Sequence, residues 1–371
     1  MKHVYLDNAA TTQMDDRVIE AMLPFMRGHF GNPSSVHSHG REVRTAIEKA
    51  RKKVAELLQA SPSEIFFTSG GTEADNTALV SGIDSHGLTH AITSPLEHHA
   101  VLHTLEMLAK KGQVQLSLLG VNEQGEIDLA QLEELLKKNP KSLVSLMQGN
   151  NEIGNLNDLE RIGQMTQAHG AFFHSDTVQT MGHYTHDLSQ LPVDALVAGA
   201  HKFHGPKGVG FLYVRKDKKI HPFIHGGAQE RNMRGGTENV IGIIGLATAL
   251  EISLEELAAH RSQIEKIKGY FVERLRQEIP GIAFNGHSAD LQKSLYTVLS
   301  ISLPPSEANR GMLLFHLDLE GISASGGSAC SSGASVGSHV MRALQHPEDR
   351  DVVRFSFSRF TTMEDIDYTL E

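Results

Sequence analysis

The chain has 371 residues, 40% hydrophobic and 21% charged, with 34 lysines and arginines against 44 acidic residues and a formal net charge of −10. That composition fits a soluble globular protein with room for two or three domains, and the negative balance argues against direct nucleic-acid binding, which needs a basic field. A lone cysteine excludes an internal disulfide framework, and the lack of an apolar N-terminal core or membrane-length apolar run places the protein in the cytoplasm, away from membranes.

Residues 40–59 carry a clear helical stripe, with Val43, Ala46, Ile47, Ala50, Val54, Leu57 and Leu58 recurring at three- and four-residue steps. Short apolar runs then mark seven strands, at 64–68, 90–93, 114–118, 142–147, 171–175, 194–198 and 209–214. Helical patterns lie between them at 72–85, 98–111, 128–138 and 158–169. Such alternation predicts an α/β fold with a mainly parallel sheet covered on both faces. The last strand follows a short Gly/Pro turn and is expected to pair antiparallel. From about 237 a long helical region, broken or bent, runs to about 278; strands at 295–302 and 352–357 and helices at 307–319 and 338–344 follow. This texture predicts a smaller α+β domain of residues 1–14 and 256–371, beside a large domain of 15–255.

Ligands of open α/β sheets sit beyond the carboxyl ends of the strands. Four polar clusters fall there: Ser69-Gly70-Gly71-Thr72, Asn150-Asn151-Glu152, Asp176 and His201-Lys202. In the first, glycines admit close approach of a ligand, Thr72 can cap the next helix, and exposed amides suit a phosphate. Lys202, in a rigid Gly/Pro-defined turn, suits a Schiff base. Asp176 can keep a pyridinium nitrogen protonated, and Gln179 can reach the same ring edge. A phosphate turn, an acid and a lysine in this order point to pyridoxal 5′-phosphate (PLP). The 22 histidines show neither clustering nor zinc-ligand spacing, so no metal is expected.

With these features in place, the chain resembles the cysteine desulfurases of the NifS/IscS type, PLP enzymes of the class V aminotransferase family with the aspartate-aminotransferase fold. The resemblance covers nearly the whole chain. It is carried by Tyr5-Leu6-Asp7-Asn8-Ala9-Ala10-Thr11-Thr12, Gly31-Asn32-Pro33-Ser34-Ser35, the 68–76 loop, Glu97-His98-His99-Ala100-Val101 and Asn150-Asn151-Glu152-Ile153-Gly154. It continues through Asp176/Gln179, His201-Lys202, Arg234-Gly235-Gly236-Thr237-Glu238-Asn239, Gly327-Ser328-Ala329-Cys330 and Arg354-Phe355-Ser356.

The resemblance implies a role for each matching position. Lys202 would hold PLP and move protons, and His98 would stack on its ring and share in the proton transfers. Asp176 would pair with the ring nitrogen and Gln179 with the ring hydroxyl. Gly71, Thr72 and His201 would hold the phosphate, with Thr237 supplied by the partner of a homodimer. Asn151 and Arg354 would bind the carboxylate of L-cysteine, the arginine as a planar fork. Cys330, in a Gly/Ser-rich loop at about 325–338, would take the sulfur as a persulfide, leaving alanine. Acceptors would be an iron–sulfur scaffold or a tRNA-thiolation partner.

The rival activities are selenocysteine lyase and transamination on the same scaffold; outside enzymes, the rivals are a catalytically quiet scaffold and a metal carrier. Transamination needs no loop cysteine. Three departures from the resembling family stand out. Gly199 replaces a phosphate-binding serine. Val336-Gly337 replace an acidic residue and proline. The chain stops at Glu371, at the start of a helix that relatives extend.

Overall fold

The structure, a computed structural model, describes residues 2–306, 311–326 and 338–371; Cys330, Val336, Gly337 and most of the 325–338 loop lie outside these. The N-terminal half contains β1 (Val4–Tyr5), α1 (Asp16–Arg27), α2 (Ser38–Leu57), β2 (Ile65–Thr68), α3 (Gly71–Asn76) and α4 (Gly82–His86). It continues with β3 (His90–Thr93), α5 (His99–Lys110), β4 (Gln115–Leu118), α6 (Leu129–Lys138), β5 (Ser142–Ser145), α7 (Leu159–Ala168), β6 (Phe172–Asp176), β7 (Ala195–Gly199) and β8 (Gly210–Val214). The remainder contains α8 (Val240–Glu255), α9 (Leu257–Glu278), β9 (Ala283–Phe284), β10 (Val298–Ser302), α10 (Leu313–Leu319), β11 (Ile322–Ser323), α11 (His339–Ala343), β12 (Val352–Ser356) and α12 (Met363–Leu370).

The seven expected strands form one sheet in the order β2-β8-β7-β6-β5-β3-β4. Strands β3 to β7 pair parallel, and β8 runs antiparallel to both neighbours. Every residue of β6 and β7 is buried, because helices cover both faces; that is why these strands read as unbroken apolar runs. On α2 the stripe Val43, Ile47, Ala50 and Val54 faces the core, and the helix is capped by His37. The expected long helical region is two helices, broken at Glu256. Helix α8 packs on α1 and α2 and is apolar nearly all round, as a helix enclosed by others must be.

A second core joins Val4, Leu6, Ile264, Phe271, Leu299, Phe355 and Ile366. Its antiparallel sheet has the order β12-β10-β9, and β1 pairs parallel with β11. The N-terminal segment therefore contributes its apolar residues to the C-terminal core. Three details depart from expectation. The stretch expected as one helix at 72–85 is α3 and α4 joined by a π turn at Thr77–Ser81. Helix α1 was not anticipated, because Pro24 interrupts its pattern. Of the expected helix at 307–319 only α10 is described, residues 307–310 lying outside.

One buried ion pair ties the sheet to the 228–236 segment. Arg51 meets Glu230 through two contacts of 2.7 and 2.8 Å, and Glu230 also accepts the Phe67 amide at 2.7 Å. Both side chains are 2% exposed. Neutralising Glu230 leaves the buried Arg51 cation with only the half-exposed Glu48, 3.1 Å from its Nε, at a cost of about 3 kcal/mol. Glu230→Gln is therefore expected to lower the urea midpoint by that equivalent; a loss below about 1 kcal/mol would show that the pair behaves as a solvated one.

Candidate active site

Five parallel-running strands end on the same side of the sheet, and the turns after them meet at a cavity of about 210 Å³. Gly71 and Thr72 arrive after β2, His98 after β3, Asn151 after β5, Asp176 at the end of β6, and His201 and Lys202 after β7; Arg354 enters on β12. All of these and Gln179 line the cavity, together with Ala9, Ala10, Asp75, Met147, Gly149 and Val178. A larger opening of about 690 Å³ beside α4 gathers none of them.

The phosphate-type turn is built on Gly70, whose φ of 155° lies in glycine's region. Gly70, rather than Thr72, is the cap residue of α3; Thr72 stands one position inside the helix and lines the cavity. Glu73 braces the turn, accepting from the Ser69 amide at 2.9 Å and pairing with Arg234 at 2.9 Å. In the 150–154 turn, Asn150 Oδ1 accepts the amides of Glu152 and Ile153 and its Nδ2 donates to Leu96 O. Asn150 thus builds the turn and Asn151 faces the cavity.

Lys202 Nζ donates to the carbonyls of Ala9 and Ala10 at 2.6 and 2.8 Å. Gln179 Nε2 donates to Ala9 O at 3.0 Å, and Asp176 Oδ1 accepts the Val178 amide at 2.9 Å. His201 Nδ1 lies 3.2 Å from Thr11 Oγ1. Arg354 donates to Asn151 O at 2.9 Å and pairs with Asp7 at 2.6 Å.

Burial sets the charges. It pushes the Asp176 carboxyl up to about 6, opposed by the Val178 amide and by Lys202. Asp75 and Glu97 are raised well above the carboxylate range, chiefly by burial and further by Asp176. His98 falls to about 4 through burial and the neighbouring Lys202, and His201 to about 4 for the same reasons. His98 Nδ1 accepts the Ala100 amide at 3.1 Å, so the neutral ring carries its proton on Nε2.

These residues fit PLP. Asp75 Oδ1 and Arg354 Nε are buried and lack hydrogen-bond partners among the described residues. At Gly71 a Cβ would come within 2.7 Å of Val178 Cγ2, so the bare backbone there is needed for close approach. An acid, an amine, an amide and a two-glycine turn are the donor set that a phosphorylated pyridine needs. Thr237 lines a different cavity, with Ser69, Gly208 and Arg234. Cys330 lies outside the described residues. Asp7, Asp75 and Glu97 were not picked out as site residues; their signal was their place inside the quoted motifs.

The chain matches the Aminotransferase class-V family over residues 4–369. It is 43% identical to "Cysteine desulfurase IscS" of Dictyoglomus turgidum, covering 100% of this chain and 93% of that protein. It is 41% identical to "Cysteine desulfurase IscS" of Methanosarcina thermophila, covering 100% and 91%. Among solved structures it is similar to a "NIFS-like protein" at 38% identity, TM-score 0.90, with 100% and 97% covered. It is also similar to "SspA in complex with cysteine" at 30% identity, TM-score 0.83, with 97% and 100% covered.

Two outcomes are expected at this site. At Gly199 φ is −129° and an added Cβ would meet nothing nearer than 3.6 Å, the closest atoms being Gly71 N and a His201 ring carbon. Gly199→Ser should therefore fold normally and tighten PLP binding about fivefold, the worth of one hydrogen bond of about 1 kcal/mol; weaker binding in a cofactor titration would refute this. In the cofactor-free protein the His98 ring should titrate near 4 in an NMR pH series. Its folded pKa lies below the unfolded value, so it subtracts stability as pH falls from 6.5; an ordinary midpoint would contradict the burial argument.

Proposed function

The chain belongs to the class-V aminotransferase family, among its cysteine desulfurases, and we propose that it removes sulfur from L-cysteine with PLP as cofactor and Cys330 as the sulfur carrier. The observation that carries this reading is the convergence of Asp176, Lys202, His98, Gln179 and Arg354 on one cavity from separate segments. Bound there, PLP supplies an electron sink that acidifies the substrate's Cα–H and weakens its C–S bond.

The chain's residues supply the rest. Asp176 holds the pyridine nitrogen protonated, and Gln179 orients the ring hydroxyl. The Gly71 amide, Thr72 and His201 hold the phosphate. Arg354 and Asn151 receive the α-carboxylate, which fixes the amino acid over the cavity. Lys202 Nζ takes and returns protons at the substrate carbon, and His98, protonated on Nε2, faces the same space as a donor.

Cys330 Sγ, as thiolate, forms a bond to the substrate sulfur while the substrate C–S bond breaks. The electron pair of that bond stays with carbon, which is protonated to give L-alanine, and the enzyme retains a persulfide. The persulfide then passes to acceptor proteins such as an iron–sulfur scaffold or a tRNA-thiolation partner.

A homodimer belongs to this reading, with Thr237 completing the partner's phosphate site. It is supported by a run of exposed apolar side chains, Met26, Phe30 and Val36, at 61%, 81% and 84% exposure. These are surfaces that a monomer rarely leaves open. The domain division, 15–255 against 1–14 with 256–371, is supported by one buried cluster drawn from residues 18–252 and another from 4–6 and 264–366, with a smaller cluster of Leu96, Ile153, Val340, Met341 and Leu344 joining the two parts. No helix of the described residues is long and apolar enough to cross a membrane. A cytoplasmic location fits a chemistry that needs a reduced thiol.

The test is an incubation of the PLP-loaded protein with L-cysteine and a reductant, assaying alanine and sulfide together. Equal amounts are expected, with both lost in Cys330→Ala and in Lys202→Ala. Silence with cysteine, but alanine released from selenocysteine, would move the activity to selenocysteine lyase.

A further inference from the structure

The motif Tyr5–Thr12 has no part in the roles above, yet it touches most of the site. Asp7 pairs with Arg354, the Ala9 and Ala10 carbonyls hold Lys202, Ala9 O also takes Gln179, and Thr11 Oγ1 meets His201. The strap is pinned beside Arg354. Asn8 Nδ2 donates to Ser356 O at 2.8 Å and the Ala9 amide to Ser356 Oγ at 2.8 Å. It has little freedom to swing away.

The Asp7 contact bears on substrate binding. The Arg354 side chain is 1% exposed and Asp7 18%. The guanidinium gives Nη1 to Asn151 O and Nη2 to Asp7, while Nε is buried without a hydrogen-bond partner among the described residues. Two physical effects follow. A carboxylate on one tine and a carbonyl on the other fix the plane of the fork, so its remaining donors keep one direction. The Asp7 charge also stands beside the cation, so an incoming α-carboxylate meets a partly neutralised pair and is repelled by the nearer anion.

We propose that Asp7 is a positioning residue that sets the affinity of the site for α-carboxylates: it aligns Arg354 and attenuates its field, so that both the substrate and the amino-acid product are held weakly enough to exchange. This deepens the reading of Arg354 as the carboxylate-binding group and rests on it. A purely structural Asp7 would neutralise a buried cation for folding and leave ligand selectivity untouched.

The two cases separate in a binding experiment that needs no turnover. PLP-loaded protein is titrated with L-alanine, and separately with L-alaninamide, which lacks the carboxylate charge; the readout is the cofactor's visible absorption. Asp7→Asn keeps an oxygen for Arg354 Nη2 and removes the charge. It should tighten L-alanine on the order of tenfold, the scale of one removed repulsive contact, leave L-alaninamide unchanged, and lower KM for L-cysteine in parallel. Asp7→Ala, which also loses the alignment, should bind L-alanine more weakly than Asp7→Asn. Unchanged or weaker L-alanine binding in Asp7→Asn, or an equal shift for both ligands, would overturn the proposal. Should Asp7→Asn fail to hold PLP, Asp7→Ser is read by the same criteria. Arg354→Gln runs alongside: if it leaves L-alanine binding intact, the fault lies in the assignment of Arg354 itself, whatever the desulfurase assay shows.

Discussion

Strands that run parallel end on one side of their sheet, and in this chain that constraint places nearly every polar group of the site. Pairing of β3, β5, β6 and β7 fixes four strand ends in register, and β2 adds a fifth through the reversed β8. The turns beyond those ends have no further sheet to join, so they are free to carry polar residues. Their backbones are satisfied locally instead, by Asn150 in one turn, Glu73 in another and Asp176 in a third. The rigidity of the site is inherited from strands buried along nearly their whole length, Phe66 of β2 being the one half-buried residue among the five.

The same burial makes the site electrically unusual. Asp75, Glu97 and Asp176 lie in dry surroundings; burial raises all three, Asp176 adds to the rise of Asp75 and of Glu97, and Glu97 adds to that of Asp75. Glu97 accepts the Met147 amide with both oxygens, at 2.9 and 3.1 Å, which holds the residue next to His98 in place. Behind Asp176 lies His174, wholly buried and driven down to about 3, with Nδ1 2.9 Å from Ser145 Oγ. Its Nε2 is 3.3 Å from Asp75 but poorly aligned for a hydrogen bond, so the contact is electrostatic at most. A cationic pyridine entering this space would meet acids whose protons it can displace, which favours the charge state an electron sink needs.

Where periodicity is long the sequence is easily read, and where structure depends on distant partners it is not. The α2 stripe and the apolar runs of β6 and β7 show their burial in their spelling. Helix α1 hides behind Pro24, which stands inside the helix and removes one of its backbone donors. The two-residue strands β1, β9 and β11 have no period to detect; they exist because β10 and the Gly321 turn offer partners. Thr72 illustrates a local rule overridden: the cap passes to Gly70, because the turn demands a positive φ that only glycine adopts cheaply.

The site residues follow the same division. Lys202 and Asp176 stand just past strand ends in the sequence and gain their meaning from each other, whereas His98 enters only through the resemblance. Asp7 could not be found in either way, since an aspartate near an N-terminus is on its own an ordinary surface charge. Its meaning comes from β12, more than three hundred residues later in the chain, where the bridge between Asp7 and Ser356 brings it against Arg354. The N-terminal strap therefore joins the carboxylate fork, the lysine and the His201 end of the site through one short segment whose hydrogen bonds are mostly backbone. A backbone carbonyl cannot be tuned by substitution, so among these contacts the Asp7 side chain is where the strap's influence on the substrate can be adjusted.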